Sequence, residues 1–183
     1  MSGLTKFHNE GAIIGRLLTG YADLELDLLH CVQVATGNFD AALKAMFGTR
    51  GETRRINEGV ALGRPAYQAL GLQADFDRAI TAVRFCLKIR NQYAHHTFWD
   101  DNTGNLAIGA LEQIAKSPSI LCDLTDIEAK HVDIKLLMDQ DKFYKYTDLL
   151  IGWVNYEGRY RNGNLVNNPV SKPLKMPQPP LHL

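Results

Sequence analysis

The stretch Asp75-Phe76-Asp77-Arg78-Ala79-Ile80-Thr81-Ala82-Val83-Arg84-Phe85-Cys86-Leu87-Lys88-Ile89-Arg90-Asn91-Gln92-Tyr93-Ala94-His95-His96 decides the fold. At about 100° per residue, Phe76, Ile80, Val83, Leu87 and Ala94 fall on one line. Ala79, Ala82, Cys86, Ile89 and Tyr93 fill the adjoining arc, and Asp77, Arg84, Lys88, Asn91 and His95 take the opposite one. An apolar face this broad predicts a central helix of a helical bundle, over about 75–95.

Arg90 breaks the pattern, because it falls inside the apolar sector. A guanidinium on a core-facing stripe is costly unless its charge meets a partner or a wet cleft. Two readings follow: Arg90 pairs with a buried acid or caps helix carbonyls, or it faces a polar cavity shared with another helix or subunit. His95 lies about 140° around the helix from Arg90, so one straight helix does not aim both at one atom. Either the helix turns at Ala94-His95 or a second copy supplies the missing group. Spacing alone is uninformative, since six His and ten Arg produce such an Arg-then-His separation about once by chance. The chemistry gives it interest: an imidazole moves protons near neutral pH, and a guanidinium steadies negative charge on a phosphodiester.

Working outward, helical periodicity recurs on both sides. Over about 11–35, Ile13, Leu17, Leu18, Tyr21, Leu24, Leu28, Cys31 and Val32 make one stripe, closed by Gly37-Asn38. Asp23, Glu25 and Asp27 read as a solvated acidic face. A short helix spans about 39–47, and another region about 52–70, where Gly63-Arg64-Pro65 predicts a kink or split. Arg50, Arg54, Arg55 and Arg64 make that region basic, as surface charges or as a path for a phosphate backbone. After the central helix, the turn residues 101–105 between Phe98-Trp99 and Leu106-Ala107-Ile108 predict a small β-hairpin. Trp99 there packs or stacks on a base, while Asp100 and Asp101 are placed to pair with Arg90 or a His. Asp123 or Thr125, with Glu128, marks a helix start over about 124–130. The helix then runs to about residue 161, with Val132, Leu136, Leu137, Phe143, Tyr146, Leu149, Leu150, Trp153 and Tyr156 inward. His131 reads as an isolated surface residue. Tyr156, Arg159, Tyr160 and Arg161 fit either an RNA contact or a helix end stabilised by cations.

With 45% hydrophobic and 22% charged residues among 183, the chain can bury a sizeable core. The reading is an all-α bundle of about five helices over 1–162, followed by a Pro-rich extended tail over 163–183, mobile or packed on the surface. Zero formal net charge argues against gripping long nucleic acid by bulk electrostatics and leaves a local basic patch open. Cys31, Cys86 and Cys122 stand far apart in apolar surroundings, so buried free thiols in a reducing cytoplasm are expected. Neither a signal segment nor an apolar run of membrane-spanning length appears, and a cytoplasmic protein with no membrane partner is expected. Metal-ligand spacing, a Gly-rich phosphate loop and a nucleophile triad are all missing, so neither metal nor cofactor is expected.

The residues Arg90 to His96 resemble the hallmark of the HEPN (higher eukaryotes and prokaryotes nucleotide-binding) family of small helical domains. That hallmark is an Arg, a polar residue directly after it, and a His closing a spacing of four to six residues near the end of a bundle helix. Arg90 and Asn91 match the first two positions and His95 the last, while His96 also satisfies the spacing. The resemblance covers about 11–161, but its specific part is these seven residues. It implies a homodimer whose motif helices meet at a symmetric cleft and, in many members, a metal-independent endoribonuclease serving as a toxin or antiphage effector. A cognate antitoxin or another protein partner is then expected. Carried onto this chain, His95 moves the proton of a ribose 2′-hydroxyl or leaving oxygen, Arg90 stabilises phosphoryl charge, and Asn91 orients the phosphate. His96 and Tyr93 are accessory candidates. Arg54, Arg55, Arg64, Arg84, Lys88 and Trp99 are candidate RNA contacts. The other reading is a non-catalytic helical dimer that binds a partner protein, nucleotide or RNA.

Overall fold

The computed structural model describes residues 3–116, 127 and 129–182, without the side chain of Gln113. Helix α1 (His8–Thr36) turns Ile14, Leu17, Tyr21, Leu24, Leu28, Cys31 and Val32 inward, each at most 3% exposed. The predicted stripe is therefore the core stripe. The helix stops where Gly37 adopts φ 66° and its N–H reaches the Gln33 carbonyl. Asn38 then accepts the Ala41 N–H to start α2 (Phe39–Phe47). Helix α3 (Glu52–Ala69) and helix α4 (Gln73–Ala94) follow, and α6 (Ile134–Arg161) closes the bundle. Packing runs α1 on α3, α3 on α4, α4 on α6 and α6 on α1, with α1 also touching α4 across the middle. The result is a four-helix bundle with α2 tucked against α1 and α3, as the all-α expectation required.

Small residues set the closest approaches. A Cβ on Gly63 would lie 2.6 Å from Phe76 Cζ, and one on Gly158 would lie 2.9 Å from Tyr67 Cε1. Tyr67 and Phe76 stack with ring centroids 4.6 Å apart, so neither ring can slide to make room. Gly63 is thus a packing device between α3 and α4.

Several expectations need correction. Helix α3 continues through Pro65 as one element and is not split. Glu25 and Asp27 are not solvated: Glu25 is 7% exposed and Asp27 is half-buried, its carboxyl hydrogen-bonded to Asp148 of α6. Leu149 and Tyr156 point outward, at 51% and 38% exposure. Helix α6 starts only at Ile134, where Asp133 Oδ1 accepts the Lys135 N–H. The proposed start at 123–126 and 128 lies outside the described residues, as does Cys122. Cys31 and Cys86 are buried free thiols.

The predicted hairpin is present as β1 (Thr97–Asp100) and β2 (Leu106–Gly109), antiparallel with Phe98 opposite Ile108. Its turn uses positive φ at Asn102 and Gly104, with Asp100 and Asp101 accepting the Asn102 and Thr103 amides. An unforeseen third strand, β3 (Lys130–His131), pairs with β2. Between β2 and β3 lies a single helical turn, α5 (Leu111–Ile114). Among the described residues, no helix is long and apolar enough to cross a membrane.

The tail is packed. Asn168 donates to the Trp153 carbonyl and to Glu157, Lys172 bonds Asp75, and Val170, Met176 and Leu181 lie against the core.

Candidate functional site

The C-terminal half of α4 carries the motif, and its periodicity divides the residues among three environments. Ile89, Gln92 and Tyr93 are buried, Arg90 and Asn91 are half-buried, and Lys88, Ala94 and His95 are exposed. Arg90 Nη1 donates to Asn91 Oδ1 at 3.0 Å, so the first two motif residues act as one polar unit. Arg90 Nη2 lies 3.7 Å from Glu52 Oε1 at the start of α3. With side-chain exposures of 28% and 36%, this ion pair is loose and partly wet, the kind that contributes about 0–1 kcal/mol. Arg90 is therefore not locked to an internal carboxylate.

Behind Arg90 runs a polar seam between α1 and α3. Arg55 Nη1 reaches both oxygens of Glu25, at 3.1 and 3.2 Å, and its guanidinium stacks 4.9 Å from the centre of the Phe47 ring. Burial raises the Glu25 pKa even against the pull of Arg55, and the Arg90 charge acts in the same downward direction as Arg55. Burial also raises the Tyr21 pKa, with the carboxylates of Glu25 and Glu52 adding to it. Its hydroxyl is buried without a hydrogen-bond partner. This seam explains how the bundle accommodates a guanidinium on an apolar stripe. Tyr21 and Glu52 were not foreseen as neighbours of Arg90; the only signal was a Tyr within the apolar stripe of α1.

His95 terminates α4. Its backbone leaves helical geometry at φ −108°, ψ 10°, while its N–H still bonds the Asn91 carbonyl. Among the described residues, no hydrogen bond or ion pair joins its side chain to Arg90 or Asn91 within one chain. His96 is half-buried, with Nδ1 shut off from solvent and lacking a well-formed hydrogen bond, and burial lowers its pKa. Tyr93 donates its hydroxyl to Gln140 of α6, which also accepts from Gln92 at 3.3 Å. Gln140 is fully buried, so the accessory candidate Tyr93 is held inside the bundle.

The basic candidates separate clearly. Arg84, Lys88 and Asn91 line one hollow of about 530 Å³ along the outer arc of α4, walled by Phe85 and Leu87 and rimmed by Thr53, Thr81 and Gln178. Arg84 is steadied by Asn57 at 2.8 Å. By contrast, Arg54 faces Glu58 at 3.9 Å, Arg55 is committed to Glu25, and Arg64 pairs with Asp77 at 2.8 Å. None of these three arginines lines the hollow, and Arg54, exposed and 3.9 Å from Glu58, is the loosest held of them.

Trp99 is 9% exposed, with Gly109 against its indole, where a Cβ would come 2.9 Å from Cη2, and Gly3 against its backbone, so it packs into the fold. Asp100 pairs with Lys6 and Asp101 with His131, at 2.6 and 2.7 Å; neither reaches Arg90. The Thr103 and His131 hydrogen bonds hold the Asp101 pKa down at about 2. His131 is exposed, in line with the surface reading, and is a strand residue tied to the hairpin turn through Asp101 and Thr103. Arg159 bonds Asn155 and Gln33, and Arg161 bonds Glu157 and the Leu70 carbonyl, which ties the end of α6 to its neighbours.

No protein-family model matches the chain, and neither a curated protein nor a solved structure matches it.

Proposed function

We propose that the chain binds single-stranded RNA along the Arg84–Lys88–Asn91 hollow and cleaves it at the end of α4, as an endoribonuclease of the HEPN kind. The observation that carries the reading is the placement of Asn91. It holds the Arg90 guanidinium on one side and lines the basic hollow on the other. A phosphate in the hollow would therefore meet Lys88 and Asn91, with Arg90 behind. The Glu52 contact, at 3.7 Å, is weak enough for a phosphate oxygen to replace it.

His95 shares the arc of Lys88 and Asn91 but lies about 140° around the helix from Arg90, so one chain does not aim both at one phosphorus, and the proposal includes a symmetric homodimer in which each copy supplies His95 to the other's Arg90–Asn91 pair. The 2′-oxygen of the ribose forms the new bond to phosphorus and the phosphorus–5′-oxygen bond breaks. His95 accepts the 2′ proton, and a proton returns to the departing 5′-oxygen. Arg90 steadies the negative charge on the non-bridging oxygens. Toxin or antiphage roles, with a protein antidote, are the settings in which such an activity fits.

Incubating the protein with a fluorescent single-stranded RNA in chelator-containing buffer tests the reading. Fragments ending in 2′,3′-cyclic phosphate are expected. An intact RNA across a panel of sequences contradicts cleavage. A non-catalytic RNA-binding dimer is then the better reading, because the hollow needs only Arg84, Lys88 and Asn91.

A further inference from the structure

Residues 164–182 form neither helix nor strand, yet from Lys172 to His182 they follow α4 in a single direction. Lys172 Nζ lies 2.8 Å from Asp75 Oδ2 and 4.5 Å from the centre of the Trp153 ring. Lys175, Met176 and Pro177 line a second hollow beside Arg78, Thr81 and Ala82. The His182 N–H donates to Gln92 Oε1 at 3.0 Å, and its ring meets Tyr93 edge-on with centroids 6.0 Å apart. From Asp75 to Gln92 a helix rises about 25 Å. Ten residues of proline-rich extended chain cover about 31 Å, so the strap fits laid almost straight along α4.

Its attachment is uneven. Polar bonds gather at the two ends: Lys172 on Asp75, then Gln140 Nε2 on the Pro180 carbonyl at 2.9 Å and His182 on Gln92. Pro173, Pro177, Pro179 and Pro180 have no N–H to donate. In the middle, Gln178 is exposed and borders both hollows, of about 530 and 560 Å³, which also share Thr81. The middle of the strap therefore bridges a hollow surface without filling it. Arg84 and Lys88 stand on one side of that bridge, and Arg78, which pairs with Asp75 at 2.8 Å, stands on the other.

We propose that residues 172–182 are a removable lid: in place, the strap divides one basic trough along α4 into two hollows, and its release opens a continuous channel for single-stranded RNA. This rests on the RNA-binding reading given above and adds its regulation. The strap carries Lys172 and Lys175, so it blocks by occupying space and does not mimic a polyanion. If only the open form binds, apparent affinity scales with the fraction of molecules in which the lid is open.

The full chain and its Lys172→Glu variant are to be compared for binding a fluorescein-labelled, ten-nucleotide 2′-O-methyl oligouridine, with hydrogen exchange followed at the Met176, Gln178, Leu181 and His182 amides. Lys172→Glu loses both the Asp75 bond and the Trp153 contact. It also makes the surface more negative, which by itself weakens RNA binding. Binding about tenfold tighter is nevertheless expected, as the open fraction rises, and in the unmodified chain the probe should speed exchange at the four strap amides. Either arm can overturn the lid. If the probe binds the unmodified chain while the strap stays protected, or if a strap shown to be loosened leaves affinity unchanged or lower, the lid fails and the RNA reading stands. If neither protein binds although the strap exchanges faster, both fail.

Discussion

Replacing His95 by alanine is expected to lower RNA cleavage by about 10²–10⁴-fold, the usual contribution of a positioned general acid–base group, without a measurable change in thermal stability. The second half of the prediction follows from position. His95 is exposed beyond the last helical residue, and its backbone N–H bond to Asn91 survives the substitution. Arg90→Ala should reduce cleavage by about 10²–10³-fold, in the range for loss of one charge-stabilising donor. It should also leave stability within about 1 kcal/mol of the parent, because the Glu52 pair is loose and part-exposed. Single-turnover cleavage beside urea unfolding separates the two effects. Loss of activity that tracks loss of folded protein would turn Arg90 into a structural residue.

The second large effect is on stability and lies away from the motif. Burial, the Asp148 hydrogen bond and the neighbouring carboxylate charges raise the Asp27 pKa from 3.8 to about 7. The folded state thus binds this proton more tightly than the unfolded chain. The stabilisation is fully present below about pH 4, declines as pH rises, and is lost above about pH 7. Asp27→Asn keeps a hydrogen-bond donor toward Asp148 and has no proton to lose. The variant should be more stable than the parent by about 1–3 kcal/mol at pH 8, with the difference vanishing near pH 4. Urea midpoints measured across that range check it; a constant offset between the two proteins at every pH would remove the shared proton from the account.

The bundle was legible in the sequence because its helices are long and strongly periodic. The stripe Leu17, Tyr21, Leu24, Leu28 needs no tertiary information, and the limits of α2 follow from Asn38 and the glycine after Phe47. Pro65 does not split α3, because a proline signals lost hydrogen bonding but not what surrounds it. In the structure, α3 is held on both sides, with Gly59 against Leu28 of α1, and Gly63 and Tyr67 against the Phe76 ring of α4. β3 was invisible, since Lys130-His131 is too short for an alternating pattern and exists only because β2 offers an edge.

The site was legible only in part. Arg90 stood out as a charge on an apolar stripe, but the acids that receive the α3 arginines come from three different helices. Glu25, Glu58 and Asp77 claim Arg55, Arg54 and Arg64, and sequence spacing links only the Arg54–Glu58 pair. Arg84 and Lys88 line a hollow on their arc of α4, and among the described residues neither is ion-paired with an acid. The strap was the hardest to foresee. A Pro-rich composition announces an extended segment, whereas its docking depends on Gln92 and Gln140, two buried polar residues on different helices that meet only in the fold.

The central claim is that two copies complete one site, and mixing inactive proteins tests it most directly. Arg90→Ala retains His95, and His95→Ala retains Arg90, so a mixed dimer holds one intact pair. Combining the two in equal amounts after subunit exchange should restore roughly a quarter of the parent cleavage, as random pairing of subunits dictates. Cleavage that stays at the level of the separate variants, with subunit exchange verified, would contradict a site shared between copies.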